Sequence, residues 1–405
     1  MKILVLAPQW PDPPRQGAAI RNLHILRYLA RHHRVTLLTF RPDGPMEMSD
    51  VAAMCDYAEA LPQPQRTARK RIMKLTTSRL PDMAWRLHSD AMHSRLEELC
   101  NDSYFDAVHV EGIEMVPYGL LALKLDPLAW MTYDAHNAEY LLQRRAFTTD
   151  MPHARQLPRG IYSLIQWWRL RQYERRTAVM SKHVLAVSPS DAAALSRLSL
   201  QLKDRVTLLP NGVDLDYWSY SAVTPEPSMV PEALVFDGTM DFRPNVDAVR
   251  WFASEVFPIV RAERPDAHFY IVGRNPAPEV LSLADTPGIT VAGPVDDMRP
   301  WVAGAAVYVV PMRMGGGVRL KVLQAMSMER AIVATPMGAE GIAERPGQDM
   351  VVVKAADEFA ASVVQLLGDP AQRELYGRSA RELVTSRYSW DSLLPILDGI
   401  YRKDS

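Results

Sequence analysis

The run PMRMGGGVRLKVLQAMS combines three consecutive glycines with two cations. Gly315, Gly316 and Gly317 leave the backbone open to close approach by a ligand. Arg319 and Lys321 follow, and the arginine guanidinium is a planar fork that matches phosphate oxygens. The glycines lie between an apolar strand pattern and a helical one, and a helix N-terminus favours an anion. The run therefore predicts either a phosphate site or a glycine-rich structural turn, and the spacing leaves both open.

Two weaker glycine turns accompany this run. In FDGTMDFRPN, Gly238 ends an apolar strand pattern and Asn245 is expected to be the N-cap of the next helix. The ordinary interpretation is a strand-to-helix loop, which matters only if the sheet directs it towards the first run. Gly17 stands between Arg15 and Arg21 near the N-terminus and forms the weakest of the three turns.

His136 in YDAHNAEY is the best candidate for a polar group that acts on a substrate. It directly follows an apolar strand pattern, so it stands where a residue of the cleft is expected. Glu139, three residues later, could instead cap a helix. A structural histidine remains the alternative. No Ser-His-Asp order, nucleophile elbow or pair of carboxylates accompanies it, which argues against a hydrolase.

Alternating strand and helix patterns must position these residues. KILVLAP, IRNLHILRYLARHH and RVTLLTF form a strand, an amphipathic helix and a second strand, which is a βαβ unit with a parallel sheet. The pattern restarts after the proline-rich stretch SYSAVTPEPSMVPEA and continues to the last segment, a predicted helix. A chain of 405 residues exceeds the size at which a single hydrophobic core keeps growing, so two domains are expected. The predicted domains are 1–215, 216–388 and a C-terminal helix over 389–405 that crosses back to the first domain.

The α/β pattern predicts two parallel-sheet domains that face each other across a cleft. In open α/β sheets, ligands bind outside the carboxyl ends of the strands. The glycine run, the turn at Gly238 and His136 all follow strand patterns directly. Each is therefore expected at the cleft.

Composition indicates an ordinary globular protein, with 48% hydrophobic residues, 23% charged residues and a net charge of −1. Two distant cysteines and no leader or spanning pattern favour the cytoplasm. Basic residues concentrate in 66–74 and 144–176, where Trp167 and Trp168 accompany them. A solvated face is one interpretation, and peripheral contact with an anionic inner membrane face is another. No nucleic-acid-binding motif accompanies the charge.

The ordered set of motifs resembles the retaining enzymes of glycosyltransferase family 4, in a branch that makes bacterial polysaccharides. VVPMRMGGGVRLKVLQAMSMERAIVATPMGAEGI is similar to the donor-binding segment of that family. Six further segments stand in the order typical of the family and extend the resemblance over most of residues 1–395. They are YDAHNAEY, LPNGVDLDYW, VFDGTMDFRPNVDAVRWF, FYIVGRNP, ITVAGPVDDMRPW and RYSWDSLL. The resemblance implies a GT-B fold with two Rossmann-like domains.

The resemblance also implies transfer of a hexose from a nucleotide-diphosphate sugar to a saccharide or lipid-linked acceptor. Arg319 and Lys321 would neutralise the leaving diphosphate, and His136 would stabilise the reacting sugar. No metal and no cofactor are implied, since the two cations replace Mg²⁺. Gly17 is implied to lie over the diphosphate, and Gly293 and Val295 at the nucleobase. The other residues implied to bind the donor are Gly238, Asn245, Gly315, Gly316 and Gly317.

The sequence departs from the family pattern at the donor site. The usual E-x7-E pair falls at Gly316 and Gln324, and Gln324 keeps an acceptor oxygen for the ribose but loses the charge. Thr239 replaces the arginine that usually follows Gly238, and Arg319 is expected to compensate, with Arg243 or Asn245 nearby. A catalytically weak partner or scaffold protein in a polysaccharide assembly complex is therefore the alternative function.

Overall fold

The computed structural model describes residues 1–13, 17–41, 49–65, 67, 73, 77–150, 157–315, 319–342 and 347–402. The chain forms two compact units. The first comprises Met1–Pro210 with Leu394–Ser405, and the second comprises Asn211–Leu393. Within the described ranges, no helix combines the length and the apolar character that crossing a membrane requires.

A seven-stranded parallel sheet forms the centre of the first unit, in the order β3-β2-β1-β4-β5-β6-β7. Its inner strands are buried over almost their whole length, because helices cover both faces of a parallel sheet. The strands are β1 Lys2–Ala7, β2 Arg34–Arg41, β3 Tyr57–Pro62, β4 Ala107–Glu111, β5 Trp130–Ala135, β6 His183–Ala186 and β7 Val206–Leu208.

The helices of the first unit connect these strands. The predicted first βαβ unit is confirmed, because β1 and β2 pair in parallel on either side of the first helix. The helices are α1 Gly17–His32, α2 Ser49–Met54, α3 Asp90–Asp102, α4 Val116–Leu125, α5 Glu139–Asp150, α6 Leu157–Met180 and α7 Pro189–Ser196. Short 3₁₀ turns lie at Asp82–Trp85 and Leu200–Leu202.

A six-stranded parallel sheet forms the centre of the second unit, in the order β10-β9-β8-β11-β12-β13. Its apolar strands pack with the covering helices into one continuous core. The strands are β8 Ala233–Asp237, β9 His268–Val272, β10 Ile289–Gly293, β11 Val307–Val310, β12 Ile332–Ala334 and β13 Val351–Val352.

Helices alternate with these strands as the sequence pattern predicts. A π-helical turn at Phe252–Val256 joins two of them, and 3₁₀ turns lie at Tyr220–Ala222 and Ser282–Asp285. The helices are α8 Arg243–Trp251, α9 Phe257–Glu263, α10 Pro278–Leu281, α11 Arg299–Gly304, α12 Leu320–Ser327, α13 Ala356–Gly368, α14 Pro370–Arg387 and α15 Trp390–Leu393.

The end of the chain belongs to the first unit. The sequence predicts one helix over 389–405, but the structure has α15 and then α16, Ile396–Ile400. Pro395 stands at the N-cap of α16, where its missing amide interrupts a continuous helix. The Tyr28 hydroxyl of α1 donates to Asp398 Oδ1 (2.8 Å), which ties α16 to the first unit.

Candidate donor-binding and catalytic sites

Glycines end three neighbouring strands of the second sheet. Gly238 follows β8, Gly273 follows β9, and Gly293 is the last residue of β10. The Gly273 amide donates to the Gly293 carbonyl (2.8 Å). A Cβ on Gly273 would lie 1.8 Å from the Gly238 carbonyl oxygen, so only glycine fits there. Gly238 and Gly273 are thus required by close packing at the strand ends, whereas a Cβ on Gly293 would meet nothing within 4 Å.

The Lys321 ammonium lies at the carboxyl end of β8. It donates to the Asp237 main-chain carbonyl, approaches Asn245 Oδ1 (3.5 Å) and lies 3.9 Å from the centroid of the Phe236 ring. Burial lowers the pKa of Lys321 to about 8; Asp237 opposes this shift, and the charge of Arg319 adds to it. An anion bound here would favour the charged ammonium again, since opposite charge raises the pKa of a lysine.

Arg319 occupies the N-cap position of α12, and its carbonyl accepts from the Val322 amide (2.9 Å). Its guanidinium lies beside Gly315, because a Cβ there would be 2.7 Å from Arg319 Nη2. Gly315 has a φ of +114°, a conformation that favours glycine. The structure thus brings one predicted glycine to the predicted arginine; Gly316 and Gly317 lie outside the described residues.

Gln324 lies on α12 one helical turn after Lys321. Residues three apart in a helix face the same side, so the Gln324 amide and the Lys321 stem share a face. Gln324 is half-buried. Its position is consistent with an acceptor for a ligand that also contacts Lys321, and its role stays a prediction.

Asn245 does not cap α8, so that prediction is wrong. The helix begins at Arg243, with Phe242 at the N-cap and Pro244 in the first turn, a position that proline tolerates. The buried Asn245 side chain instead donates to the Thr239 carbonyl (2.9 Å). It therefore holds the loop after β8 and lies beside the Lys321 ammonium.

Gly293 and Val295 lie at the end of β10, two strands from β8 in the sheet. Gly293 has a φ of +73°, and a Cβ there would meet nothing within 4 Å. Glycine is thus favoured at this turn by backbone conformation and not by crowding. Val295 packs half-buried against the core of the second unit. Both residues stay predicted contacts of a nucleobase.

His136 directly follows β5 in the first unit, as the sequence predicts. Its Nε2 lies 3.1 Å from Glu111 Oε2, at the end of the neighbouring strand β4. Burial lowers the pKa of His136, but the hydrogen bond to Glu111 and the charge of Asp134 outweigh it, so the pKa is raised. Burial raises the pKa of Glu111, yet His109 and His136 hold it well below its usual range. His136 thus combines partial exposure with a buried anionic partner.

Arg21 of α1 forms a buried ion pair behind His136. Its guanidinium donates to both Asp134 oxygens (2.8 Å each) and to the Leu209 carbonyl (2.9 Å). Among the described residues, His109, Glu111 and Asp134 bring potential metal ligands within 4.8 Å of one another. A metal ion there would displace the Arg21 cation from Asp134 and break the histidine bonds of Glu111. The donor set is better suited to a hydrogen-bonded cluster than to a metal.

Carboxylates of the chain itself occupy the start of α5, close after His136. The Ala138 amide donates to Asp191 (2.9 Å), and the Glu139 and Tyr140 amides donate to Glu174 (2.9 and 2.7 Å). Burial raises the pKa of Glu139 to about 7, against the hydrogen bond from Asn137. The start of α5 is therefore filled from within and is not an anion site like that expected at α12.

Gly17 is the first residue of α1. The preceding residues 14–16, which include Arg15, lie outside the described residues. The predicted contact of this loop with a diphosphate stays a prediction. Arg21, in contrast, is committed to Asp134, so it is not a cation for a ligand.

Two family profiles match the chain. The profile described as Glycosyltransferase Family 4 matches residues 15–217, half of the chain, and that described as Glycosyl transferases group 1 matches residues 231–369. The chain belongs to glycosyltransferase family 4. The two matches correspond closely to the two structural units of this family 4 glycosyltransferase.

Curated relatives match parts of this glycosyltransferase. The alpha-maltose-1-phosphate synthase of Mycolicibacterium smegmatis is 26% identical over 269 residues, 61% of this chain and 68% of that protein. An uncharacterised protein from the cps region of Klebsiella pneumoniae is 29% identical over 139 residues. That match spans 32% of this chain and 36% of the relative.

Solved structures of similar fold span the whole glycosyltransferase. Anabaena HepE, solved in complex with UDP and glucose, has a TM-score of 0.65 at 11% identity, over 99% of both chains. The sucrose-phosphate synthase of Thermosynechococcus elongatus has a TM-score of 0.67 at 17% identity, over 99% of this chain and 98% of that one. These likenesses and the two parallel sheets confirm the predicted GT-B fold class.

The hydrogen-bond partners that sequence reasoning missed around His136 and Asp134 are Glu111, His109 and Arg21. A signal was present: HVE and TYD place polar residues two apart within otherwise apolar strands. Residues two apart in a strand face the same side, so His109 and Glu111 share one buried face. Buried charge within a parallel strand requires a partner, so these polar residues indicate a buried hydrogen-bonded cluster.

Proposed function

We propose that this chain transfers a hexose from a nucleotide-diphosphate sugar to a saccharide or lipid-linked acceptor in polysaccharide or glycoconjugate biosynthesis. The observation that carries the proposal is the half-buried Lys321 ammonium among the strand-end glycines of the second sheet. Burial disfavours the charged form of Lys321, and a bound anion would stabilise that charge. Family membership makes the diphosphate of a sugar donor the fitting anion.

In the proposed reaction the anomeric configuration is retained. The bond from the anomeric carbon to the β-phosphate oxygen breaks, and the acceptor oxygen bonds to that carbon on the same face. The acceptor proton passes to the departing phosphate oxygen. Lys321 and Arg319 would stabilise the charge that develops on the diphosphate, so the step needs no metal ion. His136 would stabilise the sugar through a hydroxyl group.

A thermal-shift screen with UDP-, GDP- and ADP-sugars tests the donor class. A ligand at 100 times its Kd stabilises the native state by about 2.7 kcal/mol, which is several degrees in melting temperature. We expect one nucleotide series to stabilise the chain. NMR of the product made from the stabilising donor then tests retention, for which donor and product share their anomeric configuration. Absence of any shift with all three series would contradict the proposal.

The alternative, a catalytically weak partner protein, rests on Gln324. We expect Gln324→Glu to tighten binding of the stabilising nucleoside diphosphate by about 1 kcal/mol, about five-fold, since hydrogen bonds to charged groups exceed neutral ones by that amount. Calorimetry measures the change. Gln365→Glu, which adds the same charge on α13, is the matched control and should leave the affinity unchanged. Weaker binding by Gln324→Glu would show that the glutamine serves a different donor contact.

We also propose that the chain is cytoplasmic and contacts an anionic membrane surface through α6. Ile161 and Trp168 are 51% and 61% exposed, and Leu164 and Ile165 continue the same apolar stripe. Exposed arginines, including Arg171, follow on the next turn. An apolar stripe with adjoining cations suits the boundary between acyl chains and anionic headgroups. Trp167 is half-buried against the core, and most of residues 66–74 lie outside the described residues.

Liposome flotation tests this surface. We expect several-fold higher recovery with phosphatidylglycerol vesicles than with phosphatidylcholine, because each arginine near an anionic surface contributes about 1 kcal/mol. Ile161→Ser with Trp168→Ser should remove most of that recovery. Leu128→Ser, which changes a 94% exposed residue elsewhere in the first unit, is the control. Equal recovery from both lipids would contradict the proposed contact.

A further inference from the structure

A buried hydrogen-bonded chain links His136 to Tyr401, which follows the last helix of the described residues. Tyr401 Oη lies 2.5 Å from His109 Nδ1, His109 Nε2 lies 2.9 Å from Glu111 Oε1, and Glu111 Oε2 lies 3.1 Å from His136 Nε2. His109 and Glu111 are inaccessible to solvent, whereas the His136 side chain is 19% exposed. The chain therefore runs from a buried end at Tyr401 to an accessible end at His136.

With both histidines neutral, the chemistry of the groups fixes the direction of every bond. An ionised carboxylate only accepts hydrogen bonds, so both histidines present a protonated Nε2 to Glu111. His109 in that tautomer has an acceptor at Nδ1, which the Tyr401 hydroxyl satisfies as donor. With its amide oriented to donate, Asn22 lies 2.9 Å from Glu111 Oε2 and satisfies that oxygen further. Every link of the hydrogen-bonded chain thus has a donor and an acceptor, in one consistent arrangement of protons.

The same arrangement decides which atom of His136 faces outward. Because Nε2 is bonded to Glu111, Nδ1 is the nitrogen left for a ligand. Gly112 lies on that side of the ring: a Cβ there would lie 3.2 Å from Glu114 Oε2, 3.5 Å from His136 Nδ1 and 3.6 Å from Cε1. Gly112 also has a φ of +76°, which disfavours any side chain.

We infer that Glu111, His109 and Tyr401 are positioning residues that fix the His136 ring so that Nδ1 faces the sugar. This inference rests on the proposed function, in which His136 contacts the reacting sugar. Partners of a histidine that fix its tautomer influence activity although they never touch substrate. The C-terminal segment of the polypeptide, through Tyr401, therefore contributes to the catalytic site of the first unit.

Turnover measurements test the chain with a matched pair of tyrosines. Tyr401→Phe removes the hydroxyl at its buried end, and Tyr28→Phe removes the hydroxyl that ties the same C-terminal segment through Asp398. We expect kcat to fall about 3- to 10-fold in Tyr401→Phe and about 10- to 100-fold in Glu111→Gln, with the donor KM within about two-fold. Tyr28→Phe should match the wild type. Equal kcat in Tyr401→Phe and Tyr28→Phe would overturn the inference.

NMR of ¹⁵N-labelled histidines supplies a readout that does not depend on turnover. The charged groups around His136 are Glu111 of β4, Asp134 of β5, Arg21 of α1, Glu139 of α5 and, on the Nδ1 side next to Gly112, Glu114. We expect the neutral His136 ring to carry its proton on Nε2, with a titration midpoint above that of a free histidine. In Glu111→Gln the midpoint should fall and the tautomer preference should weaken. An unchanged tautomer and midpoint would overturn the inference.

His136→Ala separates this inference from the proposed function. If His136→Ala abolishes turnover while Glu111→Gln leaves the His136 tautomer and kcat unchanged, the positioning chain is wrong and the proposed reaction stands. If His136→Ala keeps full turnover, the proposed role of His136 fails, and with it the catalytic purpose of the chain.

Discussion

Arg319→Ala is expected to weaken binding of the donor nucleoside diphosphate by about 2 kcal/mol, about 30-fold in Kd, because a charged hydrogen bond contributes about that much. The guanidinium lies at the start of α12 beside Gly315, where the helix dipole also favours an anion. It also lowers the pKa of Lys321, so the two cations share one site. Calorimetry with the nucleotide chosen by the thermal-shift screen measures the loss.

Arg313→Ala is the matched control for this prediction. Arg313 stands before the same glycine run but forms an exposed ion pair with Asp247 (2.6 Å). Exposed ion pairs contribute about 0–1 kcal/mol, so this variant should fold and bind the nucleotide as the wild type does. An equal affinity in Arg319→Ala and the wild type would remove Arg319 from the site. Equal losses in both arginine variants would indicate a nonspecific effect of net charge.

His136→Ala is expected to lower kcat about 100-fold with little change in the donor KM. Removing one preorganised polar group that acts in the transition state costs about 10²–10³ in kcat. A loss confined to kcat indicates an interaction made in the transition state and not in the ground state. Steady-state kinetics with varied donor concentration and saturating acceptor measures both parameters.

His32→Ala is the control for the histidine variant. His32 lies on α1 of the same unit, where its ring contacts the Tyr28 carbonyl at an exposed position (2.9 Å). Its removal should leave both kinetic parameters unchanged. A rise in KM without loss of kcat in His136→Ala would mean that His136 only binds the donor, contrary to the proposed role.

The sequence predicts most of the fold and the location of the donor-side residues. Alternation of strand and helix patterns determines the two parallel sheets, and Gly238 and Lys321 both stand at pattern boundaries. A parallel sheet places the carboxyl ends of its strands along one edge, so residues after different strands meet there. For this reason the 83-residue separation of Gly238 from Lys321 along the sequence did not prevent the prediction that they meet.

The partners of His136 could not be predicted in the same way. Glu111 becomes its neighbour because β4 and β5 pair with Glu111 opposite Asp134, a register that no local pattern fixes. Tyr401 reaches His109 only because the chain end belongs to the first unit. The sequence predicts an N-cap at Asn245 that does not form, because Pro244 is also compatible with an earlier helix start.

The central claim is that Arg319 and Lys321 of the second unit bind a diphosphate. The most direct test compares, by calorimetry, the affinity of the nucleoside diphosphate with that of its nucleoside, in the wild type and in Lys321→Met. Two charged contacts of about 2 kcal/mol each predict that the diphosphate binds about 1,000-fold more tightly to the wild type, and that this ratio falls about 30-fold in Lys321→Met. Equal affinity of the wild type for nucleoside and diphosphate would contradict the claim.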